Sequence, residues 1–447
     1  MSESNKSIQA KNAKKADSWG QQLNPIFKFT AFIHKFGIYK IWKILPALNV
    51  KIYGRLFGTI YLHFVQKAHR KIIPSLTALF PEKSQKEIKR IYMANVAFLG
   101  QFLIQTMFRT AFISPEYAKK KISFKNLDLI DKALEKGKGV ILASLHVGAF
   151  IEAMVGGLVY HDKRYQVAIV GSISNMKLFD EILSFPISRG CKVIGSSKYQ
   201  NVKKNLLEEL TKNNIAIIMY DYTAETQFRV PFWHGRYPYL QHTPQSVASM
   251  HRLTGAPIFL AITHPLGEIG TSLVEFKEIE SINEISRKYK DAPLNEFHGR
   301  LSTEINKQIN PYLRVYAHLW EEIMNFGRFR IADKIRFEPG IKIHDFLDQI
   351  REKMILIINT SYEPDRKDEV ILDVIQKNFP IISAALEKPD EILRSHKTKI
   401  DLSLMDGVSE LFKLCNVAEK ELKAKDQNEA AKIMKDLSKK LEKFSTQ

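Results

Sequence analysis

The chain predicts an α/β fold, a central sheet flanked by helices, and three observations lead there. Short apolar runs at residues 139–145, 166–170, 192–195, 215–220 and 257–263 alternate with segments of helical spacing, the rhythm of strands with helices on both faces. Upstream, residues 25–120 carry apolar positions at helical intervals, most regularly from Glu87 to Thr106. Downstream, residues 345–360, 367–388 and 403–445 read as amphipathic helices, with Pro380 and Pro389 as breakers.

The elements follow in chain order. Residues 1–24 are rich in Lys, Ser, Gln and Asn and are expected to be disordered. Residues 25–120 form a basic helical region, with 20 Lys and Arg against 5 Asp and Glu in residues 1–120. Of the chain's net charge of +19, the first 120 residues therefore supply +15. Runs such as Phe27-Lys-Phe-Thr-Ala-Phe-Ile-His-Lys-Phe interleave aromatic and aliphatic residues with lysine, the pattern of helices lying in an anionic bilayer surface. The uncharged apolar stretch Leu56 to Gln66 is far short of the roughly 20 residues a membrane-spanning helix needs. No apolar signal segment is expected in residues 1–24. Residues 121–330 form the α/β core, and residues 340–447 form a helical appendage of balanced charge.

The chemistry concentrates at Gly139-Val-Ile-Leu-Ala-Ser-Leu-His146-Val-Gly-Ala-Phe-Ile-Glu152. Here an apolar strand gives way to a glycine-containing turn, and a histidine at that point stands at the sheet edge where α/β folds place their reacting groups. His146 is the candidate base. A second run, Ile215-Ala-Ile-Ile-Met-Tyr220, ends in Asp221 and is followed by a loop, Arg229-Val-Pro-Phe-Trp-His-Gly-Arg236, so the two strand ends suggest one shared crevice. Ser144 lacks a nucleophile elbow and reads as packing. His234, His242 and His251 fit no zinc spacing and read as loop histidines, and no metal is expected. With only Cys191 and Cys415, no disulfide framework is inferred, in keeping with a reducing compartment.

These residues resemble the lysophospholipid and lipid A late acyltransferases, a lauroyl/myristoyl acyltransferase-like family. The resemblance rests on His146, Gly148 and Glu152, then Asn175, Asp180 and Arg189-Gly190, then Asp221, Val230-Pro-Phe-Trp-His-Gly235-Arg236, and Leu253-Thr-Gly-Ala-Pro257, over roughly residues 35–325. It implies a glycerolipid-acyltransferase-like fold with a mixed central sheet. It also implies a His146–Glu152 catalytic pair, with Gly148, Asp221, Arg229 and Arg236 on the substrate. The family leaves four residues between histidine and acid, and here that position is Ile151, with Glu152 one residue beyond. Residues six apart on an α-helix lie about 240° apart around the axis, so the pair requires an extra residue in the turn, which Gly148 permits. Asp221 is the next candidate for the orienting acid. The segment around His318 and Trp320 stands where the family has a closing helix, and both residues read as packing.

The resemblance implies transfer of a fatty acyl group from a thioester, on acyl carrier protein or coenzyme A, to a hydroxyl of a lipid A-like glycolipid or a lysophospholipid. The neutral imidazole suits base catalysis of that attack. No cofactor is expected beyond the thioester co-substrate. The expected partners are an anionic membrane surface, the lipid acceptor and the acyl carrier, and the expected location is the cytoplasmic face of the inner membrane. Aminoacyl or other acyl transfer to lipid, and a non-catalytic lipid-binding relative, are the alternatives. A pI near 9.5 alone would permit nucleic-acid binding, but the basic residues lie among long aliphatics and fit no recognition-helix, zinc-finger or RNP pattern.

Overall fold

The computed structural model describes residues 52, 54–56, 58, 66–108, 115–161, 165–171, 190–195, 201–221, 229–234, 237–266, 271–292, 294–323, 343–362, 368–387, 402–424 and 427–446. The expected disordered tail and most of the basic segment up to residue 65 lie outside these residues.

The strands are β1 (Ile122–Lys125), β2 (Val140–Ser144), β3 (Val167–Gly171), β4 (Lys192–Gly195), β5 (Ile215–Met219), β6 (Arg229–His234), β7 (Tyr237–His242), β8 (Ile258–Pro265) and β9 (Ser272–Glu278). The α-helices are α1 (Gln66–Leu79), α2 (Gln85–Phe108), α3 (Pro115–Lys121), α4 (Leu127–Leu134), α5 (Gly157–His161), α6 (Val202–Thr211), α7 (Ser246–Thr254), α8 (Glu280–Lys288), α9 (Leu294–Val315), α10 (Ile343–Tyr362), α11 (Asp368–Leu386), α12 (Leu402–Ala424) and α13 (Asn428–Thr446). The chain divides into two compact units, one of Met1–Tyr222, Ser246–Glu280 and Tyr312–Gly327, the other of Thr223–Gln245, Ser281–Pro311 and Arg328–Gln447.

The first unit holds a seven-stranded sheet in the order β1–β9–β8–β2–β5–β3–β4. Strands β8, β2, β5, β3 and β4 run parallel, whereas β9 is antiparallel to β8 and β1 follows β9, so the sheet is mixed. Every residue of the central strands β2 and β5 is buried, because both faces of a parallel strand are covered, and this makes them continuous apolar runs in sequence. Strands β1 and β9, at one end of the sheet, are different. With alternating burial and polar residues such as Lys125, Glu275 and Lys277, they escape a search for apolar runs. Helix α2 packs against helical residues 54 and 58 through glycine. A Cβ on Gly100 would lie 2.5 Å from the Gly58 nitrogen and would also meet the Gly54 carbonyl. Among the described residues no helix is long and apolar enough to cross a membrane.

The second unit contains the hairpin β6–β7, antiparallel with Arg229 opposite His242 and Val230 opposite Gln241. The segment expected as a loop at 229–236 is therefore a strand over its first six residues; β-branched and aromatic side chains such as Val230, Phe232 and Trp233 favour that extended backbone. Helices α10 to α13 enclose their own core of Phe346, Ile350, Met354, Ile375, Leu411 and Met434. The single helix expected over 403–445 is two helices, α12 and α13. This break lets Leu422 and Leu441 enter one core, where one long rod would leave its apolar stripe to solvent. Pro380, expected to break a helix, lies inside α11 instead. Burial of Ile382 and Leu386 beyond it, with Ile371 and Ile375 before it, opposes the cost of the lost N–H. In the same unit the Arg300 guanidinium bonds Glu296 at 3.0 Å and Glu421 at 2.7 Å and lies 3.9 Å over the Tyr289 ring.

Candidate active site

Parallel pairing of β2 and β5 aligns Ser144 with Met219, so His146 and Asp221 each lie two residues past the same rung. The Tyr220 N–H donates to the Ser144 carbonyl at 2.7 Å, extending the ladder one step and delivering the two side chains to one point. There the His146 backbone N–H donates to Asp221 Oδ2 at 2.9 Å, and ring Nδ1 lies 2.8 Å from Asp221 Oδ1. A carboxylate only accepts, so Nδ1 carries the hydrogen and the basic lone pair of the neutral ring falls on Nε2. The Asp221 side chain is 0% exposed and that of His146 is 14% exposed, so the acid is sealed in while the ring reaches the surface.

The turn after His146 is shaped by Gly148, whose φ of +64° is the left-handed conformation a side chain disfavours. Its N–H donates to the Leu319 carbonyl at 3.0 Å, and the Glu321 N–H donates to the His146 carbonyl at 2.9 Å. With an antiparallel bridge between Val147 and Trp320, these bonds fasten residues 146–148 to residues 319–321. The Phe150 ring meets the imidazole edge-on, with centroids 4.9 Å apart. Residues Ile151–Gly156 then form a π-helical turn, which takes up one residue more than an α-turn. Glu152 stands on that turn, and its side chain lies outside the described residues.

Trp320 is fully buried, and its indole N–H donates to Asp221 Oδ2 at 2.7 Å. It does more than pack. The Asn95 carboxamide, buried in α2, donates to the Trp320 carbonyl at 3.0 Å and to the Ala317 carbonyl at 3.3 Å. The sequence placed His146 and Asp221 at two strand ends, but no local signal joins Asn95 or Trp320 to them, and only the fold does so.

Burial pulls the His146 imidazolium down. The Asp221 charge and hydrogen bond more than offset this, with Glu322 and Glu321 adding to them, and the ring is pushed up to about 9. Glu321 moves the same way, to about 7, because burial and the nearby Glu322 and Asp221 charges outweigh the attraction of His146.

Arg229 opens β6 of the second unit, and its side chain and all of Arg236 lie outside the described residues. Ser144 is buried within β2, consistent with packing. His251, read as a loop histidine, is buried in α7 with Nδ1 2.8 Å from the Ala256 carbonyl, and burial lowers its proton affinity. Half-buried His318 lies in the 3₁₀ turn Ala317–Leu319. Among the described residues no group of three or more His, Cys, Asp or Glu could hold a metal ion.

Residues 26–262, more than half of the chain, match the family model for bacterial lipid A biosynthesis acyltransferases. The chain belongs to that family. No curated protein matches it. His146 and Asp221 both fall within the span matched to the acyltransferase family, whereas Trp320, Glu321 and helices α10 to α13 lie beyond it.

Proposed function

We propose that the protein transfers a fatty acyl group from an acyl thioester to a hydroxyl of a lipid A-like glycolipid, with His146 as general base. The observation that carries this reading is the His146–Asp221 pair at adjacent strand ends, inside the span matched to an acyltransferase family. Nε2 takes the acceptor hydroxyl's proton as its oxygen attacks the thioester carbonyl. The C–O bond forms, the C–S bond breaks, and the imidazolium returns the proton to the departing thiolate. Asp221 holds the Nδ1–H tautomer and stabilises the imidazolium formed during attack. The donor is acyl carrier protein or coenzyme A thioester. Arg229 and Arg236 are proposed to meet phosphate groups of donor or acceptor, since guanidinium binds phosphate bidentately. The basic, aromatic-rich segment before residue 66 is proposed to hold the protein on the cytoplasmic face of an anionic membrane.

The test is incubation of the whole chain in mixed micelles with labelled dodecanoyl thioester, on acyl carrier protein in one arm and coenzyme A in the other. A lipid A precursor or a lysophospholipid serves as acceptor. Ester product from the wild type, and none from His146→Ala with the fold intact, is expected. Equal product from both proteins, or none from the wild type with any pairing, overturns the reading.

A further inference from the structure

We infer that the Trp320 indole N–H is a positioning donor that sets how strongly Asp221 holds the His146 proton, an inference that rests on His146 being the base. The Asp221 carboxylate receives three N–H donors within the site, the His146 ring on Oδ1 and the His146 backbone and Trp320 indole on Oδ2. Two donors on Oδ2 fix the carboxylate plane, so Oδ1 stays aimed at Nδ1. The indole is well suited to this role. It is rigid, fully buried and clamped through its own carbonyl by Asn95, so the carboxylate cannot swing away without breaking several bonds.

The electrostatic consequence follows from charge. Asp221, Glu322 and Glu321 all favour the imidazolium. An N–H on the carboxylate draws negative charge off it without adding a positive one, so Trp320 weakens Asp221's pull on the proton. Removing the indole strengthens that pull and raises the pH at which His146 becomes the neutral base. With burial opposed by three acidic groups and the ring already held up to about 9, a further rise takes the base still farther from neutral pH.

The experiment is NMR titration of the His146 imidazole in full-length wild type and Trp320→Phe, with His146→Ala assigning the signal and kcat/KM measured against pH in parallel. In Trp320→Phe the imidazole midpoint is expected to rise by on the order of half to one pH unit, and kcat/KM at neutral pH to fall about three- to tenfold as that midpoint moves. A residue that merely packs would lower activity at every pH and leave the midpoint in place, which overturns the inference. Should Trp320→Phe fail to fold, the wild-type indole N–H signals decide. One of the four is expected to titrate with His146 and to shift in Asp221→Asn. No such signal refutes the inference. Activity retained by His146→Ala instead defeats the base assignment, while the NMR titration still reports on Trp320.

Discussion

Two imidazoles stand near the carboxyl ends of the neighbouring parallel strands β2 and β8, each against a carboxylate, yet they are built for different work. At His146 the carboxylate is sealed from solvent and met by N–H donors from the ring, the backbone and Trp320. At His264 the ring joins a chain, with Nδ1 2.7 Å from the Tyr316 hydroxyl, Nε2 3.0 Å from Glu275, and Glu275 2.6 Å from Lys125. Glu275 is 16% exposed, and the lysine it holds is 56% exposed. A lysine bond holds the Glu275 carboxyl below its usual range against the opposing effect of burial, and the His264 bond lowers it further. The same two residue types thus meet in two settings, one where N–H donors surround a sealed acid and one where a lysine shares a partly exposed one. His264 ties β8 and β9 to Tyr316, just before the turn carrying Trp320, so this strut steadies the frame of the site.

The largest effect expected from this contrast is on turnover. His146→Ala should lower kcat/KM by about 10²–10⁴, the usual worth of a general base, while His264→Ala should remain within a few-fold of wild type. Equal losses would erase the distinction. Next, Asp221→Asn should cost about a hundredfold, and the His146 midpoint should fall because the chief group raising it is gone, whereas Glu275→Gln should leave that midpoint unmoved. Thirdly, the wild-type rate should climb about tenfold per pH unit and level off near pH 9, since the base acts only when neutral. A plateau already reached at pH 7 would contradict the geometry's effect on the ring.

The smallest effect concerns stability. Glu275 has a lowered proton affinity in the folded state, so its contribution is present above its ordinary value of 4.5 and is lost as pH falls below it. Glu275→Gln should therefore unfold more easily at neutral pH by about 1 kcal/mol, with the gap closing in acid. Thermal unfolding of both proteins from pH 3 to 8 measures this, and a gap independent of pH would show that the strut is not electrostatic.

The central strands were legible because β2 and β5 are covered on both faces, and full burial writes an unbroken apolar run into the chain. Strands β1 and β9 were not, since half-exposed strands look like ordinary mixed sequence. Pro380 and the 403–445 segment misled for a related reason. Local breaking and propagating tendencies are weak beside the burial of Ile382, Leu422 and Leu441 in a shared core.

By itself, then, the sequence determined an α/β core, a histidine at the end of its central strand and the acyltransferase resemblance that the match to residues 26–262 bears out. The tertiary structure decided which of the candidate acids the histidine meets and added Trp320 beside it. Parallel register put Asp221 beside it from 75 positions away, and a bridge to Val147 put Trp320 there from 174. Pairings of that separation depend on how strands align and which loops meet, and no spacing along the chain encodes them.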